Sequence, residues 1–185
     1  MDIRDLIDLN FLQKLQDNFA LSVGVGALTE DGKGNALTKP SHFTNLCMNM
    51  IRGTQIGQRR CMECGIIAGE KAALTGKPQV YHCHAGLVDF VAPIMLDGRQ
   101  IGSIFGGQIL TEPPDELKFS RIAAEIGVNA DDFLEAVRKL PIIPIENVRA
   151  AANVLLSVAD TFSKMAYQKI ELQKWNRELV IANNR

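Results

Sequence analysis

The chain holds four cysteines, Cys47, Cys61, Cys64 and Cys83, all in one central stretch, with His82 and His84 flanking the last. Their spacing is Cys47-x13-Cys61-x2-Cys64-x18-Cys83. A C-x-x-C pair holds two sulfurs on one helical turn, close enough to share a tetrahedral metal, and two distant cysteines can complete a four-thiolate site. Zinc or another thiolate-bound metal held by Cys47, Cys61, Cys64 and Cys83 is therefore one expectation, with His82 or His84 able to replace one sulfur. Two others stand beside it. Cysteine is among the most buried residue types, so several can be core fillers, and Cys61 with Cys64 can form a redox pair, although a helix gives that disulfide poor geometry. Arg59 and Arg60 beside Cys61 would help hold thiolates ionised. His42 reads as a surface or capping residue. At strand spacing His82 and His84 share one face and Cys83 the other, which splits the roles: thiols on one face of a sheet, a ligand cavity with both histidines on the other. The same geometry argues against an enzyme with Cys83 as nucleophile and a neighbouring histidine as base. The chain is read as a non-enzyme.

The elements that must position these groups follow from periodicity and punctuation. Apolar residues from Ile3 to Phe19 recur at helical spacing, and Gly24 and Gly26 end that helix. Val25 to Thr29 suits a strand, and the Asp31-Gly32 turn predicts a hairpin with a returning strand. Thr44 to Ile51 and Gln55 to Leu74 read as helices, the first capped by Thr44 or Asn45, the second closed by Thr75-Gly76-Lys77-Pro78. Gln79 to His84, Leu87 to Met95 and Gln100 to Leu110 are strand-like, with Asp97-Gly98 as a second hairpin signal. Gly102, Gly106 and Gly107 inside the last strand mark a bulge or a close approach by a ligand or a helix. Two short helices, Asp115 to Ile126 and Asp131 to Leu140, precede Pro141 and Pro144 and a long helical run from Glu146 to about Ile181. In heptad register that run puts Leu155, Phe162, Lys169 and Asn176 at a, and Val158, Met165, Leu172 and Leu179 at d. Its first part reads as packed on its own domain. From Lys169 onward it reads as a homodimer stem, or a linker toward an output domain (DNA-binding or kinase) outside this chain. The expected division is a domain at 1–145 and a signalling and dimerisation helix at 146–185.

Composition bounds the function classes. Of 185 residues, 46% are hydrophobic and 22% charged, and 20 basic against 21 acidic side chains leave a net charge of −1. That balance lacks the basic excess of a nucleic-acid-binding surface. The acidic opening MDIRDLIDLN has no long apolar segment and does not read as a signal peptide. No run approaches a membrane span, so a cytoplasmic location is expected.

One stretch carries a resemblance. Tyr81-His82-Cys83-His84-Ala85-Gly86-Leu87-Val88-Asp89-Phe90, then Ala92-Pro93-Ile94 and Ile101-Gly102-x3-Gly106-Gly107-Gln108, resembles the PocR sensory domain. So do Gln16-Asp17-Asn18-Phe19-Ala20, Glu30-Asp31-Gly32, Phe43-x3-Cys47-x3-Ile51-Arg52 and Gly57-Gln58-Arg59-Arg60-Cys61. The resemblance implies an α+β, PAS/GAF-like antiparallel sheet with flanking helices and a long C-terminal helix. It also implies a sensory role in bacterial transcription regulation or signalling, with a small hydrocarbon derivative such as 1,2-propanediol, 1,3-propanediol or glycerol as ligand. The family's namesake joins this domain to a helix-turn-helix module of the AraC type. Carried over by motif, Cys47, Cys61, Cys83, His84, Asp89 and Gln108 are the positions to watch. A diol needs a few donors and acceptors between apolar walls. His82, His84, Asp89 and Gln108 can supply the first, and Phe90 and Ile104 the second, with Val91, Ile94 and Phe105 as further wall residues.

Overall fold

Helices begin where the sequence supplies caps. The Asp8 carboxylate accepts the backbone N–H groups of Asn10 and Phe11 at 2.9 and 3.1 Å, satisfying donors that a helix start leaves open. The computed structural model, which describes residues 3–183, therefore divides the first helical stretch into α1 (Ile3–Leu6) and α2 (Leu9–Val23). Gly24 closes α2 in the left-handed conformation at φ 76°. After β1 (Gly26–Asp31) the chain turns as expected, with Asp31 Oδ1 accepting the N–H groups of Lys33 and Asn35. The expected returning strand does not form. That segment makes only the isolated bridges Glu30–Ala36 and Ala27–Ser41. Pro40 has no N–H to give, and side chains take the place of a ladder. Gln16 Nε2 donates to Ala27 O, Lys39 O and Ser41 Oγ, and Thr38 Oγ1 accepts the Thr29 N–H at 2.9 Å.

A single π-helical turn at Leu46–Ile51 follows, where an ordinary helix was expected. Thr44 Oγ1 accepts the Cys47 N–H at its start. Then come α3 (Gln55–Thr75), β2 (Gln79–His82), β3 (Val88–Leu96) and β4 (Arg99–Ile109). The helices α4 (Glu116–Ile126) and α5 (Ala130–Arg138), capped by Asp115 and Asn129, lead to α6 (Ile145–Asn183). The strands form one antiparallel sheet in the order β1-β4-β3-β2, an α+β fold of the expected PAS/GAF-like kind. No helix among the described residues is long and apolar enough to cross a membrane.

The two faces of the sheet are unequal. One is sealed by α1, α2 and α6 around Phe90, Ala92, Ile94 and Ile104, with Leu155, Ala159, Phe162 and Ala166 of α6 in the same core. The other is covered only in part, by Ala68 and Ala72 of α3 on Val91, Tyr81 and Phe105. A separate cluster joins the π-turn, α4 and α5 around Leu46, Leu87, Phe119 and Phe133. In the first cluster, on the α6 side of the sheet, Leu155 and Phe162 confirm that the early a positions of α6 serve its own domain. Beyond Ala166 the helix runs out of cover, and Leu172, Trp175 and Leu179 are exposed.

Gln16 is the polar pin of the first face. It is 1% exposed, and its Oε1 accepts from Thr29 Oγ1 at 2.8 Å and Thr38 Oγ1 at 2.7 Å. Gln16→Leu would strand the hydroxyl donors of Thr29 and Thr38, while Ala27 O, Lys39 O and Ser41 Oγ keep other donors, so a loss of about 3 kcal/mol is expected, since each unsatisfied buried group costs ~1–3 kcal/mol. Chemical denaturation reads this directly. An unchanged midpoint would show that the network contributes nothing.

Candidate functional site

The site is built by one extra residue in β4. Val88 pairs with Ile109 and Phe90 with Gly106, so β4 carries a bulge at Gly107-Gln108. Gln108 sits at φ 65°, an unfavourable region for a residue with a Cβ. Its displaced N–H finds the Asp89 carboxylate at 2.8 Å. Its side chain turns inward, where Oε1 accepts both the N–H and the hydroxyl of Thr44. Glycine is required beside it, because a Cβ on Gly107 would collide with the Asp89 carboxylate and one on Gly26 would lie 2.6 Å from the Gln108 amide. The close approach marked by the strand glycines is thus made by the chain's own side chains: Phe90 meets Gly106, and Ile3 and Ile94 approach Gly102.

Between this bulge, the π-turn and α3 lies a cavity of about 70 Å³, space for roughly five water-sized groups. All four cysteines line it, together with Asp89, Gln108, Phe105, Tyr81, Glu30 and Arg52. Cys61 and Cys64 come from one face of α3, Cys47 from the π-turn, and Cys83 from the residue that follows β2. The thiols and the polar groups Asp89 and Gln108 therefore share one cavity, where a division between two sheet faces was expected.

The remaining expected ligand residues lie elsewhere. Phe90 and Ile104 are buried in the core on the α6 side of the sheet, because each alternates with a cavity residue, Asp89 or Phe105. His82 is exposed at the end of β2. His84 does not share its face, since the strand stops at His82 and residues 83–87 turn, with Cys83 N–H bonded to Leu87 O and Gly86 N–H to Cys83 O. The turn carries His84 to Cys61, Nε2 to Sγ 3.2 Å. Its Nδ1 is buried without a partner.

Sequence reasoning missed three groups. Glu30 was read only as part of a turn, yet its place two residues after Leu28 in β1 puts it on the cavity face. Arg52 and Tyr81 occur in the motifs but carried no assigned role. Arg52 lies across the Phe43 ring, 5.2 Å from its centroid, and its charge pulls the Cys61 thiol down. Arg59 and Arg60 do not serve the thiols: Arg60 pairs with Glu125 at 2.7 Å, and Arg59 lies toward Glu63 at 3.9 Å.

Desolvation dominates the electrostatics. It pushes the Cys61 thiol up to about 11 against the pull of Arg52. Cys47, Cys64 and Cys83 are raised by the same cause, so the thiols are protonated near neutrality. Among the described residues no three His, Cys, Asp or Glu side chains are arranged to hold a metal ion. The carboxyls are raised too: Glu30 to about 7, by burial first and with Arg52 opposing, and Asp89 to about 6, by burial against the Gln108 N–H, Arg52 and the Cys83 thiol.

Both carboxyl values lie above their ordinary 4.5 and 3.8, so the folded chain holds protons that the unfolded chain releases. Their contribution is complete below those ordinary values and is lost as pH rises toward 7. His84, pushed down by burial, acts in the opposite sense below its ordinary value. Replacement isolates one term: Glu30→Gln should weaken the fall in denaturation midpoint between pH 5 and pH 8. An identical fall in the variant would contradict the assignment.

A profile of the sensory domain found in PocR matches residues 5–167 of this chain. The chain is also similar to the regulatory protein PocR of Salmonella typhimurium strain LT2, with 25% identity over 159 residues. That alignment covers 85% of this chain and 52% of the relative. The chain thus spans about half the length of the curated relative it matches.

Proposed function

This chain belongs to the family of PocR sensory domains, and we propose on that premise that it senses a short polyhydroxylated hydrocarbon, a diol or glycerol, in a cytoplasmic regulator. The observation that carries the reading is the small cavity with Asp89, Gln108 and Tyr81 among apolar and sulfur-bearing walls. A 70 Å³ space matches a molecule of about five heavy atoms. Asp89 accepts, and the Gln108 amide and Tyr81 hydroxyl can donate. Such a site binds by hydrogen bonding and needs no reactive group, which supports a non-enzymatic role.

The signal would leave through α6. Asp89 lies on β3, and further along the same strand Met95 donates its N–H to Ser163 Oγ of α6 at 2.9 Å. Ligand that closes the cavity prefers one placement of β3, and so one setting of α6. The exposed Leu172, Trp175 and Leu179 then form the stem of a homodimer that passes the change to an output domain, DNA-binding or kinase. This assigns residues 1–145 to sensing and 146–185 to signalling and dimerisation, with α6 shared between them through its buried first half.

Thermal melting with 1,2-propanediol, 1,3-propanediol and glycerol tests the binding. At a hundredfold excess over Kd the stabilisation is about 2.7 kcal/mol, an upward shift on the order of 5–10 °C for a chain of this length. Gln108→Ala should abolish most of that shift. No shift with any of the three would remove the reading. The stem has its own check in sedimentation: Leu172→Glu with Leu179→Glu should convert a dimer to a monomer, and a monomeric parent chain would end the dimer proposal.

A redox- or metal-responsive sensor is the second reading, favoured by the contact of Cys61 with His84. Iodoacetamide labelling distinguishes the two. Slow labelling that diol slows further supports the ligand sensor. One rapidly labelled thiol, with α6 hydrogen exchange altered by oxidant or metal alone, supports the alternative. A thiol-dependent enzyme with Cys83 as nucleophile is disfavoured by burial, which raises that thiol well above its ordinary value.

A further inference from the structure

Glu30 is set into the cavity wall. It is 8% exposed, and among the described residues no hydrogen bond or ion pair engages its carboxylate. Asp89, by contrast, is held by the Gln108 N–H and the Cys83 thiol. The Glu30 backbone is fixed by pairing with Ser103 across β1 and β4, and its carboxylate lies close to Gly65 of α3 and the Phe105 ring. A carboxyl on the cavity wall with no protein donor leaves its oxygens facing the cavity, where a donor on the occupant can satisfy them.

We propose that Glu30 is the residue that sets ligand specificity, accepting a hydrogen bond from one hydroxyl of a neutral ligand. The proposal rests on the reading of the cavity as the sensory site. Charge decides the class. Arg52 lies near enough to act on both Glu30 and Asp89, so an ammonium group meets a guanidinium on entry. A ligand carboxylate meets two acidic side chains. A hydroxyl alone satisfies both kinds of neighbour, donating to Glu30 while accepting from Arg52 or from the Gln108 amide. The second hydroxyl goes to Asp89 or Tyr81, and the carbon stem faces the thiols and Phe105.

The test is a titration series with four probes, 1,2-propanediol, 1-propanol, lactate and 1-amino-2-propanol, against the parent chain, Glu30→Gln and Glu30→Leu. The parent should bind the diol at least roughly tenfold tighter than the other three, the worth of about one hydrogen bond to a charged group. Glu30→Leu should lose that preference for diol over 1-propanol while melting higher without ligand, because an uncompensated buried carboxyl has gone. Glu30→Gln, which can still accept, should keep most of the preference. If Glu30→Leu does not fold, Glu30→Ala makes the same comparison without added bulk. A diol preference that survives in the leucine or alanine variant overturns the role of Glu30 and leaves the sensory reading intact. Parent binding that favours lactate or the amine overturns the ligand class. Absence of binding to all four overturns both.

Discussion

The extra residue in β4 is the constraint on which the site depends. A regular ladder would put Gln108 in line with β3 and leave Asp89 to point at a flat sheet. With the bulge, the ladder loses a backbone partner and Asp89 replaces it, accepting the Gln108 N–H. That bond is made only at φ 65° for Gln108, a conformation that needs compensation from its surroundings. The compensation is visible: Thr44 donates twice to the Gln108 side chain, and Gly26 and Gly107 leave the room it occupies. The same Thr44 caps the turn that delivers Cys47. Bulge, acid, amide and π-turn are thus one hydrogen-bonded unit.

The unequal faces of the sheet give that unit somewhere to act. The α6 side is packed with large side chains in a close-packed core that transmits strain. The α3 side is lined by small residues and polar tips, and it keeps a void. β3 belongs to both, with Asp89 toward the cavity and Phe90, Ala92 and Ile94 toward α6.

Much of this was legible in the sequence, and the failures share a cause. Caps, turns and periodicities located the helices closely: Asp115 and Asn129 cap α4 and α5 near the expected starts, and Gly76 ends α3. The cysteines, Asp89 and Gln108, singled out from the sequence, come together around one cavity. What failed was the assignment of faces. The two-residue rule for His82 and His84 holds only within a strand, and β2 ends between them. Phe90 and Ile104 were offered for the cavity although their neighbours Asp89 and Phe105 already occupied it. Glu30 escaped because a charged residue before Asp31-Gly32 reads as solvent-facing turn, and only the cover provided by α3 buries it. A tertiary contact of that kind leaves no local trace.

The thiols acquire a different meaning once desolvation is weighed. A C-x-x-C pair suggests metal or redox work because thiolates are strong ligands and nucleophiles. Here burial holds the thiols protonated, and a neutral thiol behaves as a small, polarisable apolar group with a weak donor. Four of them line the cavity with weakly polar surface. Serine in those places would add strong donors and acceptors that each demand a partner, and alanine would enlarge the cavity. Sulfur fills the space without fixing the hydrogen-bond pattern, which leaves Glu30, Asp89 and Gln108 to define it.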